Sequence, residues 1–114
     1  MNVQIYGRSK CFDTKKAERY FKERGIPFQR VDIDRYGLGK RELDAVLAAV
    51  GSIDELIDPK SAVYKKENFA YISRDSAEKR AILEESPTLY RTPIVRNGRQ
   101  ATVGYQPDIW KNWQ

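Results

Sequence analysis

The chain holds one cysteine and no histidine, and the surroundings of that cysteine are where its chemistry can be argued. Cys11 follows the polar loop Gly7-Arg8-Ser9-Lys10. It stands where a helical pattern opens, with Ala17, Tyr20, Phe21 and Arg24 at helical spacing until Gly25 stops it. A thiol at that position meets backbone N–H groups without intrahelical partners and the positive end of the helix dipole. Both favour the thiolate, the nucleophilic form. Arg8, Lys10, Lys15 and Lys16 act in the same direction and Asp13 against it. Thr14, three residues on, carries a hydroxyl and an N–H able to donate to the sulfur; it reads equally as an ordinary first-turn residue. Lone cysteines are most often inert small hydrophobes. Cys11 instead lies among polar and basic residues, outside any apolar stripe, and that is the argument for a reactive thiol.

Several classes of chemistry fall away at once. Without histidine there is no Cys–His nucleophilic pair and none of the usual zinc sites, so no metal is expected. One cysteine cannot close an internal disulfide. The N-terminus reads as a strand and no apolar run reaches membrane-spanning length. A cytoplasmic protein with no membrane partner is therefore expected. At 114 residues, 40% hydrophobic and 32% charged, the chain suits a single globular domain over residues 1–114. Its net charge of +5 favours an acidic partner, such as a glutathione carboxylate or a small oxyanion. Direct nucleic-acid binding is not expected from so mild an excess.

The elements that must position Cys11 can be read from periodicity. Val3 to Tyr6 is a short β-branched and aromatic run, a buried strand; Pro27 to Ile33 alternates and reads as a second. Strand, helix and strand in that span form a βαβ unit, so the two strands are expected to be parallel neighbours. Asp34 to Gly39 reads as a loop. Leu43, Val46, Leu47 and Val50 mark a helix ended by Gly51, and Ser52-Ile53-Asp54-Glu55 has the form of a capping box. Lys60 to Glu67 is basic and loosely patterned. Asp75 with Glu78 opens a helix carrying Ala77, Ala81 and Ile82 before Pro87. Thr92 to Arg96 is a proline-opened strand, Asn97-Gly98 a hairpin turn and Ala101 to Tyr105 the returning strand. A closing helix from Pro107 offers Ile109, Trp110 and Trp113 to the core.

The order βαβ, helical segment, ββα, with a cysteine after the first strand and Thr92-Pro93 opening the third, resembles the thioredoxin fold. The expected class is α/β, glutaredoxin-type, with core residues 1–35 and 87–114 and a helical insert at 36–86. The insert, the opening Ile5-Tyr6…Cys11, the segment Ser86-Pro87-Thr88-Leu89-Tyr90-Arg91-Thr92-Pro93-Ile94-Val95 and the close Val103-Gly104-Tyr105 are similar to the arsenate reductase (ArsC)/Spx family. The resemblance implies that Pro93, commonly cis in such folds, faces the sulfur and that Thr92 and Pro93 frame a bound thiol.

For function, the resemblance implies three alternatives. The first is a monothiol oxidoreductase in which Cys11 forms a mixed disulfide with glutathione or a similar thiol. Thr14 would support the thiolate, and Lys10, Lys15 and Arg91 would hold carboxylates. Glutathione is then a co-substrate, glutaredoxin a partner, and no cofactor is bound. The second is a glutathione- and glutaredoxin-dependent arsenate reductase with an anion site rebuilt from Lys15, Lys60 and Arg91. The family's arginine immediately before the proline is Thr92 here, another after the last strand is replaced within Gly104-Tyr105-Gln106, and Lys60 stands nearest to a third. The third is a non-enzymatic regulator like Spx, which binds the RNA polymerase α-subunit. Redox-switch Spx proteins carry Cys-x-x-Cys; this chain has Cys11-Phe12-Asp13-Thr14, so an internal dithiol switch is excluded.

Overall fold

A computed structural model describes all residues, 1–114. Its elements in chain order are β1 (Val3–Gly7), α1 (Phe12–Glu23), β2 (Phe28–Asp32), α2 (Ile33–Tyr36), α3 (Lys40–Val50), α4 (Ala62–Lys66), α5 (Ser76–Glu85), β3 (Ile94–Asn97), β4 (Gln100–Val103) and α6 (Pro107–Trp110). Single 3₁₀ turns occupy Ile53–Leu56 and Pro87–Leu89. The sheet order is β2-β1-β3-β4, with β1 parallel to β2 and antiparallel to β3, and β3 antiparallel to β4. This is the expected βαβ…ββα sheet with α2 to α5 inserted between its halves. No helix is long and apolar enough to cross a membrane.

Alternation along the central strands divides the core between two faces. Val3 and Ile5 of β1 and Val95 of β3 join Ala17, Tyr20 and Phe21 of α1 and the two tryptophans. Tyr6 and Ile94 turn the other way, into Leu43 and Val46 of α3, Leu56 and Leu83 farther along the insert, and Leu89 and Tyr90 just after it. Trp110 packs edge-on to Tyr20 and donates its indole N–H to Thr102 Oγ1 at 2.8 Å, so the one polar atom it buries is satisfied. The insert face carries a polar tie: Tyr6 Oη donates to Glu42 Oε2, and Arg96 Nη1 donates to Gln4 Oε1 at 3.1 Å. Burial pushes the Tyr6 phenol up to about 12, with the Glu42 carboxylate adding to the effect.

Several local expectations are corrected. Ile33 leaves the strand early: Asp32 Oδ1 accepts from the Asp34 N–H, and the cap starts α2 where a loop was expected. Ser52 does not form a reciprocal capping box; its hydroxyl accepts from the Asp54 N–H and starts only a 3₁₀ turn. The basic stretch after Lys60 holds α4, capped by Ser61. In α5 it is Leu83 that is fully buried, ahead of Ala77, Ala81 and Ile82. Ile109 stays 46% exposed while Trp110 and Trp113, three residues apart and thus on one side of the closing turn, enter the core.

Candidate functional site

Cys11 is delivered to its position by a tight turn. β1 ends at Gly7, and the Cys11 N–H donates back to Arg8 O at 3.1 Å. Cys11 is thereby left as the extended N-cap of α1, half-buried, with no side-chain cap bond. Across from it lies the segment leading into β3, where the Thr92–Pro93 peptide bond is cis. The thiol donates to Thr92 O at 3.7 Å.

Burial is the largest single influence on the Cys11 thiol and pushes its pKa up. It is outweighed by hydrogen bonds to the sulfur from the Thr14 and Thr92 hydroxyls and from the Thr14 and Asp13 backbone N–H groups, so the pKa is lowered overall. The protonated thiol thus has a carbonyl acceptor, and the thiolate has a set of donors.

Arg8 explains why both hydroxyls are available as donors. Its backbone N–H donates to Thr14 Oγ1 and its Nη1 to Thr92 Oγ1, each at 3.3 Å. A hydroxyl that accepts one hydrogen bond is free to send its own proton elsewhere, here to the sulfur. The guanidinium is itself pinned by Asp34 Oδ1 at 2.6 Å, Tyr90 O at 2.6 Å and Pro87 O at 3.0 Å. From sequence Arg8 reads only as a nearby charge. In the fold it is the strut joining the cysteine loop, the end of the insert and the segment before β3.

Of the residues singled out by sequence, Cys11, Thr14 and Thr92 meet, with Pro93 adjoining. Thr14 is fully buried. Lys10 and Lys15 are exposed at the start of α1, Lys15 Nζ lying 5.8 Å from the centre of the Phe12 ring. Lys16 lies 4.0 Å from Asp13, so the opposing carboxylate has a cation of its own. Arg91 does not join this group, and the Lys60 side chain makes no hydrogen bond or ion pair with it. Arg91 lines a separate cleft in the insert, as expected if neighbours on an extended segment face opposite ways. The Lys60 side chain is exposed, and its backbone N–H donates to Asp58 Oδ1 at 2.9 Å. Tyr6 bonds Glu42 and Tyr105 packs edge-on to Trp110; neither hydroxyl bonds the sulfur.

Thr14→Val tests the local chemistry with little change of shape. Losing the hydroxyl leaves the Arg8 N–H without its acceptor, a cost of about 1 kcal/mol in unfolding free energy. It also raises the Cys11 pKa, moving the pH–rate profile of thiol alkylation to higher pH. The sign carries over to stability. A thiol whose pKa is lowered by folding adds stability that grows as pH rises from its folded value toward the unfolded one and is lost as pH falls through the folded value. That rise in stability should be smaller in Thr14→Val.

Known proteins resemble the chain in sequence and in fold. The chain is 33% identical over 109 residues to the global transcriptional regulator Spx 2 of Oceanobacillus iheyensis, covering 95% of this chain and 80% of that protein. To the global transcriptional regulator Spx of Staphylococcus haemolyticus it is 28% identical over 107 residues, covering 93% and 82%. Among solved structures, an ArsC family related protein from Bacteroides fragilis superimposes with a TM-score of 0.88 at 22% identity, covering 97% of this chain and 96% of that one. An arsenate reductase from Vibrio cholerae gives 0.84 at 24% identity, covering 96% and 94%. At those identities the structures establish the thioredoxin-like fold alone. The ArsC family description matches residues 6–113, nearly the whole of what α1, the sheet and the insert are built from, and the chain belongs to the ArsC family.

Proposed function

We propose that the protein is a monothiol redox protein in which Cys11 exchanges with an external disulfide. The reading rests on one observation above all: the Cys11 sulfur stands at the start of α1 against Thr92 O at 3.7 Å, where hydroxyl and N–H groups of Thr14, Thr92 and Asp13 lower its pKa. In the exchange, the Cys11 thiolate attacks one sulfur of glutathione disulfide. A Cys11–glutathione disulfide forms as the glutathione S–S bond breaks, and glutathione thiolate leaves with the electron pair. A second thiol, glutathione or a glutaredoxin, regenerates Cys11 by the reverse attack. Thr92 and Pro93 would frame the incoming thiol, and Lys10 and Lys15 would meet its carboxylates. A reducing cytoplasm suits a resting free thiol.

Incubation with glutathione disulfide followed by intact-mass analysis tests this. A single glutathione adduct that is released by dithiothreitol and absent from Cys11→Ser is expected. A thiol that titrates at or above the ordinary value of about 8.5 and forms no adduct would sink the reading.

Arsenate reduction finds less support. Arg91 lines the insert cleft, and Thr92 offers a hydroxyl where relatives of that activity use an arginine. A second reading, a transcriptional regulator like the Spx relatives, is favoured by the 33% identity across 95% of the chain. Its test is pull-down with the C-terminal domain of the RNA polymerase α-subunit; absence of binding removes it.

A further inference from the structure

The insert contains a cleft of about 330 Å³ that the Cys11 chemistry does not use. Its walls mix aromatic and apolar side chains with cations. Tyr64 and Phe69 stack at 5.3 Å with an interplanar angle of 13°, and the Arg74 guanidinium lies 4.8 Å from the Phe69 ring centre. Tyr64, Phe69 and Arg74 all line the cleft. The stack is fixed from below by the chain turn at Asn68, which takes the left-handed conformation at φ 54° and lets the Phe69 N–H reach Tyr64 O at 3.1 Å.

The cations of the cleft exceed its carboxylates. Lys79 pairs with Asp54 at 2.8 Å. Arg74 Nη2 donates to Glu67 O at 2.6 Å and lies 3.7 Å from Glu67 Oε2. That leaves Arg74 Nη1, which is buried and has no hydrogen-bond partner in the protein. It also leaves the Arg91 guanidinium, which makes no ion pair and no side-chain hydrogen bond. A buried guanidinium N–H left unpaired is costly, and an aromatic stack that holds the guanidinium in place gives it little freedom to find water elsewhere. Two forked cations line one cleft with aromatic rings beside them, the side-chain types that recognise a tetrahedral dianion on an apolar body.

We propose that this cleft binds a phosphate monoester whose organic part lies along Tyr64 and Phe69 and whose phosphate is held by Arg74 and Arg91. The site is separate from the thiol chemistry. Arg91 immediately precedes Thr92, but the two side chains serve opposite sides of the segment.

The experiment is an amide chemical-shift titration with phenyl phosphate, with inorganic phosphate and benzoate as comparisons. Saturable shifts at Phe69, Ile72 and Ser73 are expected by about 10 mM ligand, where a millimolar site is nearly filled. Inorganic phosphate should bind more weakly for want of the ring contact, and benzoate more weakly for want of the second charge. Arg91→Gln changes only an exposed side chain and should weaken phenyl phosphate roughly tenfold, the worth of one charge-assisted bond. Arg74→Lys, which keeps the charge but not the fork, should weaken it with the fold intact. Cys11→Ser should bind as the parent does, so failure of the redox reading leaves this one standing. The proposal is overturned by any of four results: no saturable shift, benzoate binding as tightly as phenyl phosphate, Arg91→Gln binding like the parent, or loss of binding in Cys11→Ser. The last would put the anion at the thiol.

Discussion

Arg8→Met is expected to cost about 3–5 kcal/mol in unfolding free energy and to raise the Cys11 pKa. Hydrogen bonds to a charged donor contribute about 1.5–3 kcal/mol each, and a buried acceptor left without its donor costs about 1–3 kcal/mol. Arg8 supplies Tyr90 O, Pro87 O and the Thr92 hydroxyl, and its own side chain is only 19% exposed. The Asp34 contact adds less, since that carboxylate is 41% exposed. Methionine keeps the aliphatic stem, so the loss isolates the guanidinium. The thiol shift follows because Nη1 donates to the Thr92 hydroxyl and that hydroxyl is among the groups that lower the Cys11 pKa. Urea unfolding reads the first effect and the pH dependence of alkylation the second. Stability within about 1 kcal/mol of the parent would show that Arg8 is an ordinary surface charge.

Gly7→Ala is the second large effect, expected at about 2–4 kcal/mol. A Cβ on Gly7 would stand 2.5 Å from Thr14 Oγ1 and 3.0 Å from Thr14 Cβ, and would also strike Cγ2. Thr14 cannot swing aside: it is β-branched, fully buried and on the first turn of α1. The loop or the helix start has to move, and overpacking of this kind typically costs 1–3 kcal/mol, occasionally more. Because the displaced hydroxyl is one of the donors to Cys11, the thiol pKa should rise as well. The double variant Gly7→Ala/Thr14→Ala separates the two consequences. It removes most of the clash and should recover most of the stability, while the pKa stays raised for want of the hydroxyl. Additive costs in the double variant would rule out the contact as the cause.

Both predictions concern residues beside Cys11 whose importance depends on what they meet in space. The cysteine itself was legible: a lone thiol among polar residues at a loop-to-helix junction, followed by a three- and four-residue apolar pattern. The strands were legible for the same kind of reason. Val3-Gln4-Ile5-Tyr6 and the Asn97-Gly98 turn are local signals, and local signals survive in a linear reading. Boundaries were less so, since Asp32 and Ser52 chose between strand, helix and turn by single side-chain hydrogen bonds to the N–H two residues ahead.

What the sequence determined by itself is the βαβ…ββα order, the insert and the candidate nucleophile, because each follows from periodicity, proline and glycine placement, and residue type. The tertiary structure alone decided which basic residue serves the thiol. Four cations cluster around Cys11 in the chain, and the three lysines are exposed or turned to other partners. Arg8 is the one drawn in, because three of its four side-chain acceptors arrive from 79 to 84 residues away. The same long-range packing carried Arg91 to the insert cleft instead of the sulfur. Charge near a thiol can be counted from sequence, but hydrogen-bond direction depends on where distant backbone carbonyls come to rest.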